Sequence, residues 1–190
     1  MQIRRTITIL SALCVAAILV ISSTGNTQEG SALQNAAAIV KPQAYVSLEP
    51  VPRGQAFQVA VVAEIRNGYH INANKPADEF LIPTTLTAQL PSGLREVETV
   101  YPPQQSLKLS FSQTPLLVYT GRAPIFLHLQ AANDAPLGAT TIPLVLRYQP
   151  CNDTTCLPPV KIPISVTVQI AAAGASTHNL HPEIFTSKKP

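Results

Sequence analysis

Tryptophan is absent from these 190 residues, aromatic residues make up only 5% and charged residues only 12%. With so little charge and no cluster of Lys or Arg, no basic stripe exists for a phosphate backbone to follow, which excludes a nucleic-acid binder. Glycine is scarce, at 8 residues, and none of it forms the closely spaced loop that cradles a nucleotide. There are four histidines, two of which (His178 and His181) lie near the C-terminus. No serine sits in a nucleophile-elbow context, so nothing supports a hydrolase. No internal repeat is present. What the chain does have is 18 prolines and a hydrophobic content of 46%, with recurrent runs of Val, Ile, Leu and Thr. That composition favours many short strands joined by turns within one ordinary domain.

Met1-Gln2-Ile3-Arg4-Arg5 is basic and leads into an apolar run from Ile7 to Ile21 before Ser22-Ser23-Thr24-Gly25 turns polar. This is the order of an export signal. The run is about 15 residues, short of the roughly 20 needed to cross a bilayer, so residues 1–25 read as a cleaved signal peptide rather than an N-terminal anchor. The membrane is then touched only through this segment, and only if it stays uncleaved. Cys14 lies within it and reads as apolar filler. Removing Arg4, Arg5 and Glu29 takes the formal charge from +3 to +2. Residues 26–42 are small and polar without sustained period, a linker, and order is expected to begin near Gln43.

Seven strand-length runs follow, at 44–48, 57–65, 82–90, 96–101, 123–130, 140–149 and 160–170. Leu144-Val145-Leu146-Arg147-Tyr148 and Ile162-Pro163-Ile164-Ser165-Val166-Thr167-Val168 alternate apolar with polar, so one face is buried and one wet. Turn chemistry separates the runs: Pro52-Arg53-Gly54, Asn67-Gly68, Pro91-Ser92-Gly93 and Asn133-Asp134. Pro124, Pro143 and Pro163 each delete a ladder donor and are expected near a strand start or an edge. Strands without helical periods between them predict an all-β, immunoglobulin-like antiparallel β-sandwich over 43–170. Residues 171–190 lose the pattern and read as a flexible tail. The segment 72–83 is either a partner-docking loop or a polar crossover between sheets, with Phe80 and Leu81 entering the core.

After export only Cys151 and Cys156 remain, and an even pair outside the cytoplasm is a candidate disulfide. Asn152, Asp153, Thr154 and Thr155 between them are turn formers, and the flanking runs can pair as a hairpin that brings both sulfurs together at its tip. A bridge closing so short a loop contributes about 2 kcal/mol in the chain-entropy model, against about 4.7 for one closing roughly 100 residues. As a staple it is poorly placed. Local bridges of this kind serve either to pin a hairpin or to open and close in redox exchange, and spacing alone leaves both readings open. A third reading has Cys151 and Cys156 sharing a metal with His70 or His128, although soft-metal sites usually gather more ligands nearby. No cofactor and no resident metal is expected.

The segment Tyr148-Gln149-Pro150-Cys151-Asn152-Asp153-Thr154-Thr155-Cys156-Leu157-Pro158-Pro159 resembles the one that carries the active cysteines in the N-terminal periplasmic domain of the DsbD family. The shared features are the Tyr-Gln lead-in, the Asp two residues after the first Cys and the Pro-Pro after the second. Ile65-Arg66-Asn67-Gly68-Tyr69-His70-Ile71 is similar to that family's strand ending in Gly-Tyr, and Leu90-Pro91-Ser92-Gly93 to its Leu-Pro-x-Gly turn. The resemblance covers about 43–170. It implies an immunoglobulin-like fold and a periplasmic or otherwise extracytoplasmic domain that passes electrons from a membrane thiol reductase to thioredoxin-like proteins. It also implies that Cys156 forms the mixed disulfide with partners and Cys151 resolves it.

Two departures bear on the transfer. The family shields its cysteines with an acidic-aromatic cap after the Leu-Pro-x-Gly turn. Here that stretch is Tyr101-Pro102-Pro103-Gln104-Gln105-Ser106-Leu107-Lys108-Leu109-Ser110-Phe111, with Phe111 or Leu109 as the candidate shield. Where the family places aromatics after Gly-Tyr, this chain has His70 and Asn72. A histidine near Cys156 would favour its thiolate, and Asp153 either tunes the thiol or makes an Asx turn. No multi-span membrane domain and no thioredoxin-like domain follows, so electrons are expected from a separate protein. The competing expectation is an immunoglobulin-like interaction module with a purely structural disulfide.

Overall fold

The computed structural model describes residues 35–76, 80–109, 112 and 114–185. The signal segment and most of the expected linker lie outside these residues, as do Asp78, Glu79 and Phe111. Two four-stranded sheets face each other. One contains β1 (Val40–Val46), β4 (Ala56–Ile65), β10 (Arg122–Ala131) and β7 (Leu94–Val100) in the order β1-β4-β10-β7. The other contains β3 (Val51–Pro52), β13 (Val160–Ala171), β11 (Gly138–Tyr148) and β6 (Thr85–Ala88) in the order β3-β13-β11-β6. All of these pairings are antiparallel except the short β13–β3 contact. The molecule is an immunoglobulin-like β-sandwich.

Strand alternation builds the core. On β4, Phe57, Val59, Val61, Ala63 and Ile65 point inward, as do Ala123, Ile125, Leu127, Leu129 and Ala131 on β10, and they meet Ile142, Leu144, Leu146 and Tyr148 of β11. Each large aliphatic side chain buried this way contributes about 1.5–3 kcal/mol. The prolines fall where the ladder has a gap. Pro124 precedes the start of β10–β7 pairing at Phe126, Pro143 precedes the start of β11–β6 pairing at Leu144, and β3 reaches β13 only at Ile170, beyond Pro163.

Order extends beyond the expected limits at both ends. Strand β1 begins at Val40, and Ala36, Ile39 and Val40 are buried in the main core, so packed chain replaces linker from at least Ala36. At the other end, β14 (His178–Asn179) pairs with β2 (Leu48–Glu49), and α1 (Pro182–Phe185) lies against the outer face of β4. Ile184 buries Ala60 and Val62 there, with Tyr45, Phe126 and Phe185 around them. The expected flexible tail is therefore structured as far as Phe185, because the apolar outer face of β4 needs a cover. Phe80, which the crossover reading of 72–83 puts in the core, is 86% exposed, whereas Leu81 packs against a small cluster of Leu109, Leu116 and Val118.

A third small sheet, not foreseen from the sequence, runs β12-β5-β9-β8: Pro150–Cys151, His70–Asn72, Leu116–Tyr119 and Gln105–Leu107. It is where the cysteines sit.

Candidate functional site

β11 and β13 form a long hairpin whose last register pair is Tyr148 with Val160. Beyond it the outgoing chain leaves the partner strand, and Pro150 and Cys151 pair with Ile71 and His70 of β5. The chain then turns through Asn152 to Thr155 and returns, so that Cys156 faces Cys151 across a single antiparallel bridge. Their Cα atoms are 4.0 Å apart and the sulfurs are bonded. Asn152 holds the turn together. Its side-chain oxygen accepts from the Thr154 and Thr155 amides at 2.9 Å each and from the Thr154 hydroxyl at 3.0 Å. Its own amide donates to the Thr155 carbonyl at 2.9 Å, and Leu157 N donates to the Pro150 carbonyl at 2.8 Å. Asn152 thus makes an Asx turn, for which its Asn-x-Thr spacing is the signal in the sequence.

The two cysteines differ in environment. Cys151 is 1% exposed, while Cys156 is partly exposed, as are Leu157 and Pro158 beside it. Asp153 stands at the exposed end of the turn and, with His70, Arg66, Tyr69, Leu107 and Thr120, lines an open groove of about 410 Å³. Arg66 lies over the Tyr69 ring, 4.7 Å from its centroid.

His70 is 2% exposed and its Nε2 has no hydrogen-bond partner among the described residues. Burial holds its imidazole below the ordinary value of 6.5, while the Asp153 carboxylate pulls in the opposite sense. Register decides which cysteine it adjoins. Opposed residues of an antiparallel pair project on the same face with Cβ atoms about 5 Å apart. His70, Cys151 and Cys156 therefore form a row across three backbone segments, with Cys151 in the middle. His70 adjoins Cys151 and stands two strand spacings, about 9.5 Å, from Cys156.

Of the other candidates, Phe111 lies outside the described residues. Leu109 is buried with Leu116 and Val118, making it core of that small cluster; among the described residues of this stretch, Leu107 lines the groove. His128 is on β10 in a different sheet, 3.3 Å from Glu98. Among the described residues no three His, Cys, Asp or Glu side chains come together as a metal site. Nor is any helix among them long and apolar enough to cross a membrane.

Fold and site together define an immunoglobulin-like domain that carries one local disulfide, half buried and half accessible, at the end of a hairpin. The family model described as "Thiol:disulfide interchange protein DsbD, N-terminal" matches residues 36–167, and the chain belongs to that family. Among solved structures, the reduced DsbD N-terminal domain of Neisseria meningitidis is similar at 18% identity, over 75% of this chain and 90% of that one, with a TM-score of 0.44. The N-terminal periplasmic domain of ScsB from Proteus mirabilis is similar at 11% identity, over 68% of this chain and 46% of that one, with a TM-score of 0.45. A comparison with curated proteins found no match.

Proposed function

We propose that this domain is an extracytoplasmic thiol–disulfide relay in which the Cys151–Cys156 pair cycles between disulfide and dithiol. Electrons arrive from a membrane thiol reductase and leave to thioredoxin-like clients. The observation that carries this reading is the contrast in exposure between the two cysteines. Exchange requires a thiolate to approach one sulfur in line with the S–S bond. Cys156, partly exposed, offers such an approach, whereas Cys151, at 1%, does not.

In the loading direction a partner thiolate attacks Cys156 Sγ and the S–S bond breaks. Cys151 leaves with the electron pair and takes up a proton. A second partner cysteine then attacks the partner's own sulfur in the mixed disulfide and releases Cys156. The domain gains two electrons and two protons, and the partner is left with a disulfide. In the delivery direction the Cys156 thiolate attacks an oxidised client and Cys151 closes the ring. Family membership and the weak stapling power of so short a loop, about 2 kcal/mol, favour exchange over a structural role.

Thiol trapping across a glutathione redox series tests the reading. The native pair should open and close within the series. The Cys151→Ser protein should accumulate a stable mixed disulfide through Cys156, and the Cys156→Ser protein should form little. A bond that stays closed throughout, with no adduct on the Cys151→Ser protein, would identify an interaction module pinned by a structural bridge.

A further inference from the structure

In the delivery direction the second step asks most of the protein. Cys151 must attack the sulfur of Cys156 as a thiolate, yet it sits at a position only 1% exposed, where desolvation disfavours charge. A buried thiol that must ionise needs an acceptor for its proton close at hand.

The sheet register supplies one. His70 is the cross-strand neighbour of Cys151, on the side away from Cys156, and projects on the same face. Its Nε2 is buried and makes no hydrogen bond among the described residues, although a buried imidazole nitrogen is normally paired. His70 is also among the residues that line the groove running past Asp153, which brings solvent close to the buried imidazole. Among the described residues, the charged and titratable groups that line the groove with it or pair with it are Asp153 from the turn, Arg66 and Tyr69 from the chain entering β5, and Cys151 from β12. Arg66 is engaged with the Tyr69 ring and hydroxyl. Asp153 is the group whose charge acts on the imidazole.

We propose that His70 is the proton acceptor for the resolving cysteine: it takes the proton from the Cys151 thiol as that sulfur attacks the mixed disulfide on Cys156, and returns it when Cys151 leaves. The inference rests on the exchange cycle proposed above. In the resolving step the Cys151 S–H bond breaks and its proton goes to the imidazole. The Cys151–Cys156 S–S bond forms as the Cys156–client S–S bond breaks, and the client sulfur departs as a thiolate that is then protonated from the imidazolium through the groove. The domain's dithiol is oxidised by two electrons and the client disulfide is reduced by two.

The test separates the two steps by rapid quenching, with the reduced full chain and a small disulfide, 5,5′-dithiobis(2-nitrobenzoate), as the oxidant. Adduct formation at Cys156 reports the first step and ring closure the second. With His70 present, the closure rate should be nearly flat above pH 6.5 and fall only in more acid solution, because burial holds the imidazole below that value. His70→Gln should leave adduct formation near the native rate and slow closure at pH 7 on the order of 100-fold. Its closure rate should then rise about tenfold per pH unit, as expected when only spontaneous ionisation of the thiol is left. Added imidazole should restore part of the rate in His70→Gly.

Asp153→Asn, an exposed change, keeps the idea testable if the His70 variants fold poorly. Removing the carboxylate should move the acid limb of closure to lower pH without altering its plateau. Unchanged closure in His70→Gln, or an acid limb that ignores Asp153→Asn, overturns the role of His70 and leaves the exchange cycle standing. Failure of the native protein to form any adduct overturns both.

Discussion

Tyr148 illustrates how much a single side chain near the site does for the fold. It is fully buried at the end of β11, and its hydroxyl donates to the Ala36 and Ala37 carbonyls at 3.3 Å each, tying the segment before β1 to the strand that leads to Cys151. Burial pushes its hydroxyl up to about 12 from the ordinary 10. A tyrosine whose folded value lies above its unfolded one stabilises the fold fully below pH 10, and that contribution is lost as pH rises through about 12. Tyr148→Phe should therefore cost about 1 kcal/mol at neutral pH and flatten the decline in stability under alkali. Tyr101 and Tyr119 are also raised by burial, so some decline should persist. Urea unfolding midpoints at pH 7 and pH 11 check both parts. At this scale the cysteines were legible because their spacing and flanks are local. His70 was visible as a candidate, but whether it adjoins Cys151 or Cys156 depends on the register of a three-residue strand, which no periodicity announces.

Among the elements, the long alternating strands β4, β10, β11 and β13 lie close to where their sequences place them. The short ones do not declare themselves: β5, β8, β9 and β12 have two to four residues each, too few for a period of two to register. The turns are better marked. At Pro91-Ser92-Gly93-Leu94, the Leu94 amide donates to the Pro91 carbonyl at 3.1 Å and Gly93 has φ +84°. A Cβ there would lie 2.5 Å from the Ala135 Cα, so this glycine answers both a backbone demand and a close approach. Gly93→Ala should cost about 2 kcal/mol or more, and Gly121→Ala about 1 kcal/mol, since Gly121 has φ +59° but nothing within 4 Å of its would-be Cβ. Thermal or urea denaturation of the two variants side by side separates steric clash from backbone strain. The closing segment β14–α1 does not declare itself in the sequence, because its apolar side chains, Leu180, Ile184 and Phe185, are too few to show a period. The feature that demands it is elsewhere, in the run Ala60-Val61-Val62 that makes β4 apolar on both faces.

For the molecule as a whole, the sandwich is held by one core that spans both sheets, and no bridge links those sheets among the described residues. The disulfide closes a loop of five residues' separation, so opening it should lower stability by no more than about 2 kcal/mol. The reduced domain should keep its near-ultraviolet circular dichroism and unfold cooperatively at a slightly lower denaturant concentration; collapse on reduction would mean the bridge is a structural staple. The two-sheet architecture was legible because alternation and turn chemistry agree along most of the chain. The third sheet was not, since β5 meets β9 and β12 from some 50 and 80 residues away, and they come together only when the sandwich is complete.

That assembly orders events during folding. Cys151 and Cys156 lie at the end of a continuous hairpin, so closing the loop between them is a local and rapid step, available before the remaining strands have found their partners. Pairing Cys151 with His70 must wait for long-range contacts. A nascent chain can thus join its two sulfurs while the imidazole is still far away, and the same bond passes from a simple crosslink to part of a three-residue row only when the last sheet forms.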